Sequence, residues 1–284
     1  MRVLLLVMLL CCSTDAFAQS ASTWFLAEGA SNAIFDEDIL VGNPSGAALT
    51  VSVQLLPGSD AIFTGPNPVT FTLPATGRLT VNLKQSFPGL NGAASARVSA
   101  VIKGTDTPAD IIVERSLFFP QDAVPYGGGS SASGTTAPAT RWVLAEGSGG
   151  IFQTFILLAN PGTTPVTADV TYLRSNGSTI TVNRAIPPGG RETLWPTSEE
   201  PLASEGFSTV VEATGPIVAE RAMYFDSLKS GHDELGIAEP KSTWYFAEGF
   251  TGGNPSIAFE TFILIGNDAD MPAQVTATYY LDAG

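Results

Sequence analysis

Apolar and polar residues alternate with a period of two over much of the chain. Val51, Val53 and Leu55 are separated by polar residues, and Ile180 and Val182 repeat the pattern further along. Successive side chains of a strand point to opposite faces of a sheet, so this pattern predicts half-buried β-strands. The sequence lacks the sustained spacing of an amphipathic helix. We therefore predict an all-β protein.

Two turn signals divide these strands. Asn176-Gly177 lies between two alternating runs and predicts a tight β-hairpin, because both central residues of such a turn need a positive φ. Gly215-Pro216 separates Thr209–Val211 from Ile217–Ala219. We predict a strand, a turn and a second strand there as well.

One sequence unit occurs three times. Its first block has the form Trp-x-x-Ala-Glu-Gly and begins at Trp24, Trp142 and Trp244, with spacings of 118 and 102 residues. An apolar run that ends in asparagine follows each copy, at Asn43, Asn160 and Asn267. Such internal periodicity predicts a tandem array of similar modules.

The second half of the unit occurs twice. Arg78 matches Arg191, each four residues after a proline, and Glu114-Arg115 matches Glu220-Arg221. The Gly/Ser-rich connectors also keep their spacing, which predicts that they are ordered parts of the unit. The third copy reaches Gly284 without this second half. We expect a fragment or an early-terminated chain there, and the least stable region.

These repeats predict the domain organisation and the fold. Residues 1–18 read as a signal peptide, 19–138 as module 1, 139–240 as module 2 and 241–284 as an incomplete module 3. Six or seven short strands with intervening turns per module favour tandem immunoglobulin-like β-sandwich modules. A propeller is the alternative, but its blades are about 40–50 residues long, which is shorter than these units.

The motifs resemble a domain family of unknown function that recurs in tandem in secreted bacterial proteins. The resemblance rests on Trp142–Gly147, on the run Phe155–Pro161 and on Glu220–Phe225, and it covers essentially the whole mature chain. Asp268 stands where the family pattern has proline after the asparagine. The resemblance implies export and this fold, and it implies no chemistry.

The composition of the chain indicates the cellular location of the protein. An apolar run, Val3–Cys12, followed by Ala16-Phe17-Ala18 is typical of an export signal and too short to span a membrane. Both cysteines, Cys11 and Cys12, lie inside it. We therefore expect a secreted or cell-surface protein without disulfides, cofactors or membrane insertion after signal removal. The net charge of −14 argues against nucleic-acid binding, which uses basic surfaces.

Catalytic and metal-binding chemistry finds little support in the sequence. His232 is the only histidine and stands in a connector, where an exposed turn is the expected setting. The acidic stretch Asp36-Glu37-Asp38 and the pair Asp268 and Asp270 suit calcium. However, module 2 has Gln153-Thr154-Phe155 at the position of the first stretch. We predict no catalytic, cofactor or metal residue and class the chain as not an enzyme.

The recurring glutamates Glu28, Glu146 and Glu248 are the main charged feature of the repeat. A buried glutamate is costly unless it is paired. We hypothesise that each pairs with a recurring arginine, namely Arg115 or Arg221, or otherwise Arg78 or Arg191. A pair of catalytic carboxylates, with Glu114 or Glu220 as the second member, is the functional alternative. Glu220 and Arg221 are adjacent in a strand, so at most one of them joins a given cluster.

The remaining candidates are structural, with one exception. Trp195 lies in a polar loop where module 1 has Asn82, and it is the one residue that we suspect of stacking on a sugar or a partner. Folding back on its own sandwich is the alternative. We expect the tryptophans that begin each unit, Trp24, Trp142 and Trp244, to lie in the core. We class the recurring residues as structural: Trp24, Glu28, Asn43, Arg78, Glu114, Arg115, Trp142, Glu146, Asn160, Arg191, Glu220, Arg221, Trp244, Glu248 and Asn267.

These observations favour a non-catalytic structural or interaction protein of the cell surface. The alternative is a carbohydrate- or partner-binding accessory region of a larger extracellular protein or enzyme. The sequence does not identify a partner; an extracellular polysaccharide and another surface protein both stay open.

Overall fold

The computed structural model describes residues 21–119, 127–254, 257–269 and 271–281; the predicted signal peptide lies outside them. The fold is all-β, with antiparallel sheets of the sandwich type, as the period of two predicted. Within these described ranges, the α-helix α1 (Leu83–Ser86) and the 3₁₀ helix Pro196–Ser198 interrupt the strands. The strands are β1 Thr23–Leu26, β2 Ala30–Ser31, β3 Asp36–Gly42, β4 Leu49–Pro57, β5 Val69–Leu73, β6 Arg78–Asn82, β7 Gly92–Ile102, β8 Ile112–Phe119, β9 Gly128–Ser133, β10 Ala139–Leu144, β11 Gln153–Asn160, β12 Val166–Arg174, β13 Thr179–Ile186, β14 Gly190–Leu194, β15 Phe207–Phe225, β16 Ser230–Leu235, β17 Gly252–Asn254 and β18 Ile257–Phe259.

Module 1 has two sheets that face each other across an apolar core. One sheet has the order β1-β7-β4-β5, with β2 beside β7, and the other has the order β6-β3-β8-β9. Trp24 and Val98 of the first sheet lie in one core cluster with Ile39 and Val113 of the second. The indole nitrogen of Trp24 donates to the carbonyl of Ile111 at 2.8 Å, which satisfies the polar atom of this buried ring.

Module 2 repeats this arrangement with one difference. Strand β15 belongs to both of its sheets: its first half pairs with β10 and β12, and its second half pairs with β11 and β16. The prediction of a turn at Gly215-Pro216 is therefore wrong. The backbone stays extended there and crosses from one sheet to the other. The chain does not reverse, because the two halves of β15 pair with strands of different sheets. The hairpin at Asn176-Gly177 between β12 and β13 is confirmed, but only Gly177 has a positive φ, +81°, so the predicted turn with two positive φ angles is wrong.

The recurring asparagines stabilise the turn at the end of the apolar run of each unit. The side-chain nitrogen of Asn43 donates to the carbonyls of Ala47 and Pro74, at 2.8 Å in each case. Asn160 makes the equivalent bonds to Thr164 and Ile186, at 2.8 and 3.2 Å. Asn267 donates to Met271 at 2.9 Å. Each side-chain amide thereby donates to carbonyls for which an irregular turn provides no backbone donor.

Residues 241–281 differ from the first two modules. Their assigned strands are the short pair β17 and β18. Trp24 and Trp142 are 3% and 2% exposed, whereas Trp244 is 50% exposed, so its predicted place in a core is wrong. In modules 1 and 2 a second sheet covers this tryptophan. The described residues after Trp244 provide no second sheet. No helix within the described residues is long and apolar enough to span a membrane.

Candidate functional site

Charged residues of the repeat meet at the boundary between modules 1 and 2. Module 1 contributes carboxylates next to β1 and on β3 and an arginine on β8, and module 2 contributes residues from β14, β15 and β16. We call this group the boundary cluster: Glu28, Glu37, Arg115, Arg191, Glu220, Tyr224 and Asp233. All seven are between 0% and 7% exposed. Charges that are removed from water in this way need partners, and the geometry provides them for most.

Glu220 of module 2 is held by module 1. Its carboxylate accepts from the backbone N–H groups of Ala27 at 2.7 Å and Glu28 at 3.1 Å. It also accepts from Arg115 Nη1 at 2.9 Å, and both of these side chains are fully buried. Hydrogen bonds to an ionised carboxylate are about twice as strong as neutral ones. Glu220 is therefore the main polar link between the modules.

Arg115 of module 1 pairs with two carboxylates of module 2, Glu220 and Asp233. Its Nη1 also donates to the carbonyl of Glu28 at 2.7 Å, and its Nη2 forms an ion pair with Asp233. Burial opposes the charge of the guanidinium, but the nearby carboxylates, first Glu220 and then Glu28, outweigh it and raise the pKa of Arg115. Arg115 therefore stays charged inside the protein.

Glu28 receives its partners from module 2. The hydroxyl of Tyr224 donates to Glu28 Oε1 at 3.0 Å, and Arg191 Nη2 lies 3.5 Å from Glu28 Oε2. Arg191 Nη1 also donates to the carbonyl of Gly29 at 2.7 Å. Burial, followed by the charge of Glu28, raises the pKa of Tyr224 well above its ordinary value. Among the arginines considered for Glu28, the carboxylate thus faces Arg191 of the other module.

Glu37 is the least compensated member. Its carboxylate oxygens have no hydrogen bond of good geometry, although the backbone N–H of Ala30 is near enough to lower the pKa slightly, and burial raises the pKa of Glu37 to about 8. Arg115 opposes this shift, whereas Glu28 adds to it. Four carboxyl groups share two arginines in the cluster, so a neutral Glu37 brings the charge closer to balance. Glu37 is accordingly protonated at neutral pH.

Apolar contacts surround the charges. Ala27 and Leu56 of module 1 pack with Ala159 and Val218 of module 2. On the other side, Phe35 and Phe119 of module 1 contact Tyr224, with ring centroids 5.4 and 5.1 Å away. These contacts exclude water, which strengthens the electrostatic interactions within the cluster.

A second, more open cluster lies at the other end of module 2. Arg221 Nη2 lies 3.0 Å from Glu146 Oε2, with side chains that are 5% and 22% exposed. This is one of the pairs that the sequence suggested, and Glu220 and Arg221 indeed join different clusters. His232 Nδ1 lies 3.2 Å from Arg221 Nη1. Burial and then the charge of Arg221 lower the pKa of His232, and burial lowers that of Arg221.

Several sequence interpretations need correction. His232 is on strand β16 and half-buried, not in an exposed turn, because the connector itself pairs with β15. Arg78 and Glu114, the repeat counterparts of Arg191 and Glu220, are exposed. Glu248 is exposed as well. Equivalent residues of the repeat thus lie in different environments. Module 1 covers Arg191 and Glu220, whereas no module within the described residues covers Arg78 and Glu114.

The acidic stretch on β3 does not converge on one point. Asp36 and Asp38 both accept from the side-chain nitrogen of Asn82 at 3.0 Å, on the outer side of the sheet. Glu37 points inward to the boundary cluster. Among the described residues, no group of three or more acidic, histidine or cysteine side chains has a metal-binding arrangement. The other proposed calcium pair includes Asp270, which lies outside the described residues.

Trp195 combines the two interpretations that the sequence offered. Its ring stacks on Phe155, with centroids 5.4 Å apart and planes at 25°. It is nevertheless 48% exposed, so the other face of the ring is open to solvent.

The arrangement as a whole is that of an all-β protein with antiparallel sheets of the sandwich type. Family models and curated protein sequences give no match to the chain. Thermotoga maritima 1070 is similar over 36% of this chain and 96% of its own, with 15% identity and a TM-score of 0.33. Anabaena sensory rhodopsin transducer is similar over 30% and 82%, with 19% identity and a TM-score of 0.26. Both TM-scores are too low to support a conclusion.

Proposed function

We propose that this chain is a non-catalytic, exported structural protein whose β-sandwich modules are joined into a rigid unit. The observation that carries the proposal is the boundary cluster. Four recurring charged residues form the contacts between the modules and are buried: Glu28, Arg115, Arg191 and Glu220. A catalytic carboxylate pair needs access for a substrate, and these carboxylates have none.

The chemistry of the cluster supports rigidity. Removal of one partner of a buried ion pair costs about 3–5 kcal/mol, because the other charge is left uncompensated. Rotation of one module against the other separates Glu220 from Arg115 and from two backbone N–H groups at once. The boundary therefore resists bending far more than a flexible linker does.

Distances between spin labels on the two modules test the proposal. The predicted mature chain has no cysteine, so Thr70→Cys and Thr179→Cys, both at exposed positions, place one label on each module. We expect a narrow distance distribution that Glu220→Ala broadens and Glu114→Ala leaves unchanged. A broad distribution in the parent protein would refute a rigid unit.

Trp195 supports a second candidate, a carbohydrate-binding accessory region. A half-exposed indole held flat by a second ring is a suitable surface for the apolar face of a sugar. A glycan array with the parent protein, Trp195→Ala and Ile151→Ala tests it, since Ile151 is 76% exposed on the same module. Binding that is lost only with Trp195 would favour this function.

A further inference from the structure

The face of module 2 that points away from module 1 repeats the surface on which module 2 itself is bound. Glu146 and Arg221 occupy the repeat positions of Glu28 and Arg115. Ala145 matches Ala27, which is fully buried at the boundary, yet Ala145 is exposed. Module 2 therefore presents the same polar groups without the cover. We call Ala145, Glu146, Phe152, Arg221 and Phe225 the open face.

An aromatic pair on the open face strengthens this equivalence. Phe35 and Phe119 of module 1 form an edge-to-face pair, with centroids 5.8 Å apart, that receives the ring of Tyr224. Phe152 and Phe225 are at the same repeat positions and form the same kind of pair at 5.3 Å. Both rings are only partly buried. The open face thus has the aromatic pair of the occupied boundary, and its glutamate and arginine pair with each other instead of with a neighbouring module.

The start of module 3 indicates what lies on this face. Gly266 approaches Ala145, where a Cβ on Gly266 would lie 3.4 Å from Ala145 Cα. Gly266 has the repeat position of Ala159, which packs against Ala27 at the occupied boundary. Asp268 also forms an ion pair with Arg141. Module 3 therefore begins to dock on module 2 as module 2 docks on module 1.

The docking surface of module 2 combines apolar and charged groups, and module 1 has polar residues at two of the apolar positions, those of Phe155 and Ala222. At the positions of Phe155, Ala222, Tyr224 and Asp233, module 1 has Asp38, Ser116, Phe118 and Ser131. Ser116 and Ser131 form a hydrogen bond with each other at 3.1 Å on that surface. In contrast, module 3 has Phe262 at the position of Phe155. Terminal repeats of modular arrays commonly have such a polar outer face.

We propose that the open face of module 2 is a docking site for a further module of the module 2 type, and that module 1 is a polar cap. Because of this cap, a second copy of the chain does not bind the open face through its own module 1. The array is thereby extended in one direction only. This inference rests on the proposed structural function and adds its assembly rule.

Conversion of the cap into a docking surface tests the proposal in the full chain. The variant carries Asp38→Phe, Ser116→Ala, Phe118→Tyr and Ser131→Asp, which leave the net charge unchanged and keep Glu114 and Arg78. We expect the parent protein to sediment as a monomer. We expect the weight-average mass of the variant to rise at least two-fold with concentration, as head-to-tail contacts form and displace residues 262–268.

Added charges separate specific from general association. In the four-substitution background, Ala145→Arg blocks the open face and is expected to restore the monomer. Thr179→Arg adds the same charge at an exposed site of module 2 and is expected to leave association intact. Circular dichroism checks folding, and the pair Asp38→Phe and Ser116→Ala replaces the full set if that set unfolds the protein.

Three results would overturn the inference: a folded converted variant that stays monomeric, association that survives Ala145→Arg, or a parent protein that associates through the open face. The spin-label distances report on the boundary between modules 1 and 2 alone. Failure of the proposed rigid unit is therefore distinguishable from failure of this docking rule.

Discussion

Replacement of Glu37 by glutamine should remove a pH-dependent loss of stability. In the unfolded chain the carboxyl ionises near its ordinary pKa of 4.5, and in the folded protein near 8. Below pH 4.5 it is protonated in both states and the ionisation has no effect on stability. Between these values the unfolded chain releases the proton and the folded protein keeps it, so stability falls as pH rises through this window.

The size of the effect follows from the pKa difference. One pKa unit corresponds to about 1.4 kcal/mol, so between pH 5 and pH 8 the wild type should lose about 4 kcal/mol relative to Glu37→Gln. The two proteins also differ in packing and hydrogen bonding of the amide. That difference does not vary with pH, so the change with pH isolates the ionisation.

Urea denaturation at pH 5, 6, 7 and 8 provides the measurement. Far-ultraviolet circular dichroism follows the unfolding, because the chain has four tryptophans and its fluorescence does not report on Trp24 alone. Glu199→Gln removes an exposed carboxylate of module 2 and should give a nearly constant difference from the wild type. A constant difference for Glu37→Gln as well would mean that Glu37 is ionised in the folded protein. The charge balance derived for the boundary cluster would then be wrong.

Three further predictions concern the repeat. Glu220→Ala should destabilise the chain by about 3–5 kcal/mol in chemical denaturation, and Glu114→Ala, at the equivalent exposed position, by less than about 0.5; equal losses would contradict the assignment of the boundary. A double-mutant cycle on Glu146 and Arg221 should give a coupling energy of about 1–2 kcal/mol, whereas additive effects would exclude a stabilising pair. Gly177→Ala should cost about 1 kcal/mol in thermal unfolding because φ is +81° there, and an unchanged midpoint would argue against this turn.

The sequence predicts which face of a strand a residue occupies better than it predicts what covers that face. The period of two correctly separated Glu220 from Arg221, and the hairpin at Asn176-Gly177 followed from its turn chemistry. The same period places Glu37 in phase with Ile39 and Val41, which are buried. That signal predicts a buried acid. Comparison of the repeats obscured it, because Thr154 stands at that position in module 2.

The contacts between modules were not predicted from the sequence. Comparison of the repeats shows the residues that the copies share, whereas the boundary depends on residues that differ between the copies. Asp233 and Tyr224 belong to the boundary cluster, but module 1 has a serine and a phenylalanine at these positions. The long strand β15 was missed for a related reason. Gly215-Pro216 is compatible with a turn and with an extended crossing, and only the partners on both sides decide between them.

Equivalent residues in a tandem array therefore need not have equivalent energetic roles. Arg191 and Glu220 are buried, whereas Arg78 and Glu114 are exposed, although each pair has the same repeat positions. A charge tolerates burial only where its complement is fixed opposite it, and module 1 provides that complement for module 2. Nothing in the described residues provides it for Arg78 and Glu114, where water remains the better environment. The neighbour, more than the motif, thus determines which copy of a charged residue stabilises the array.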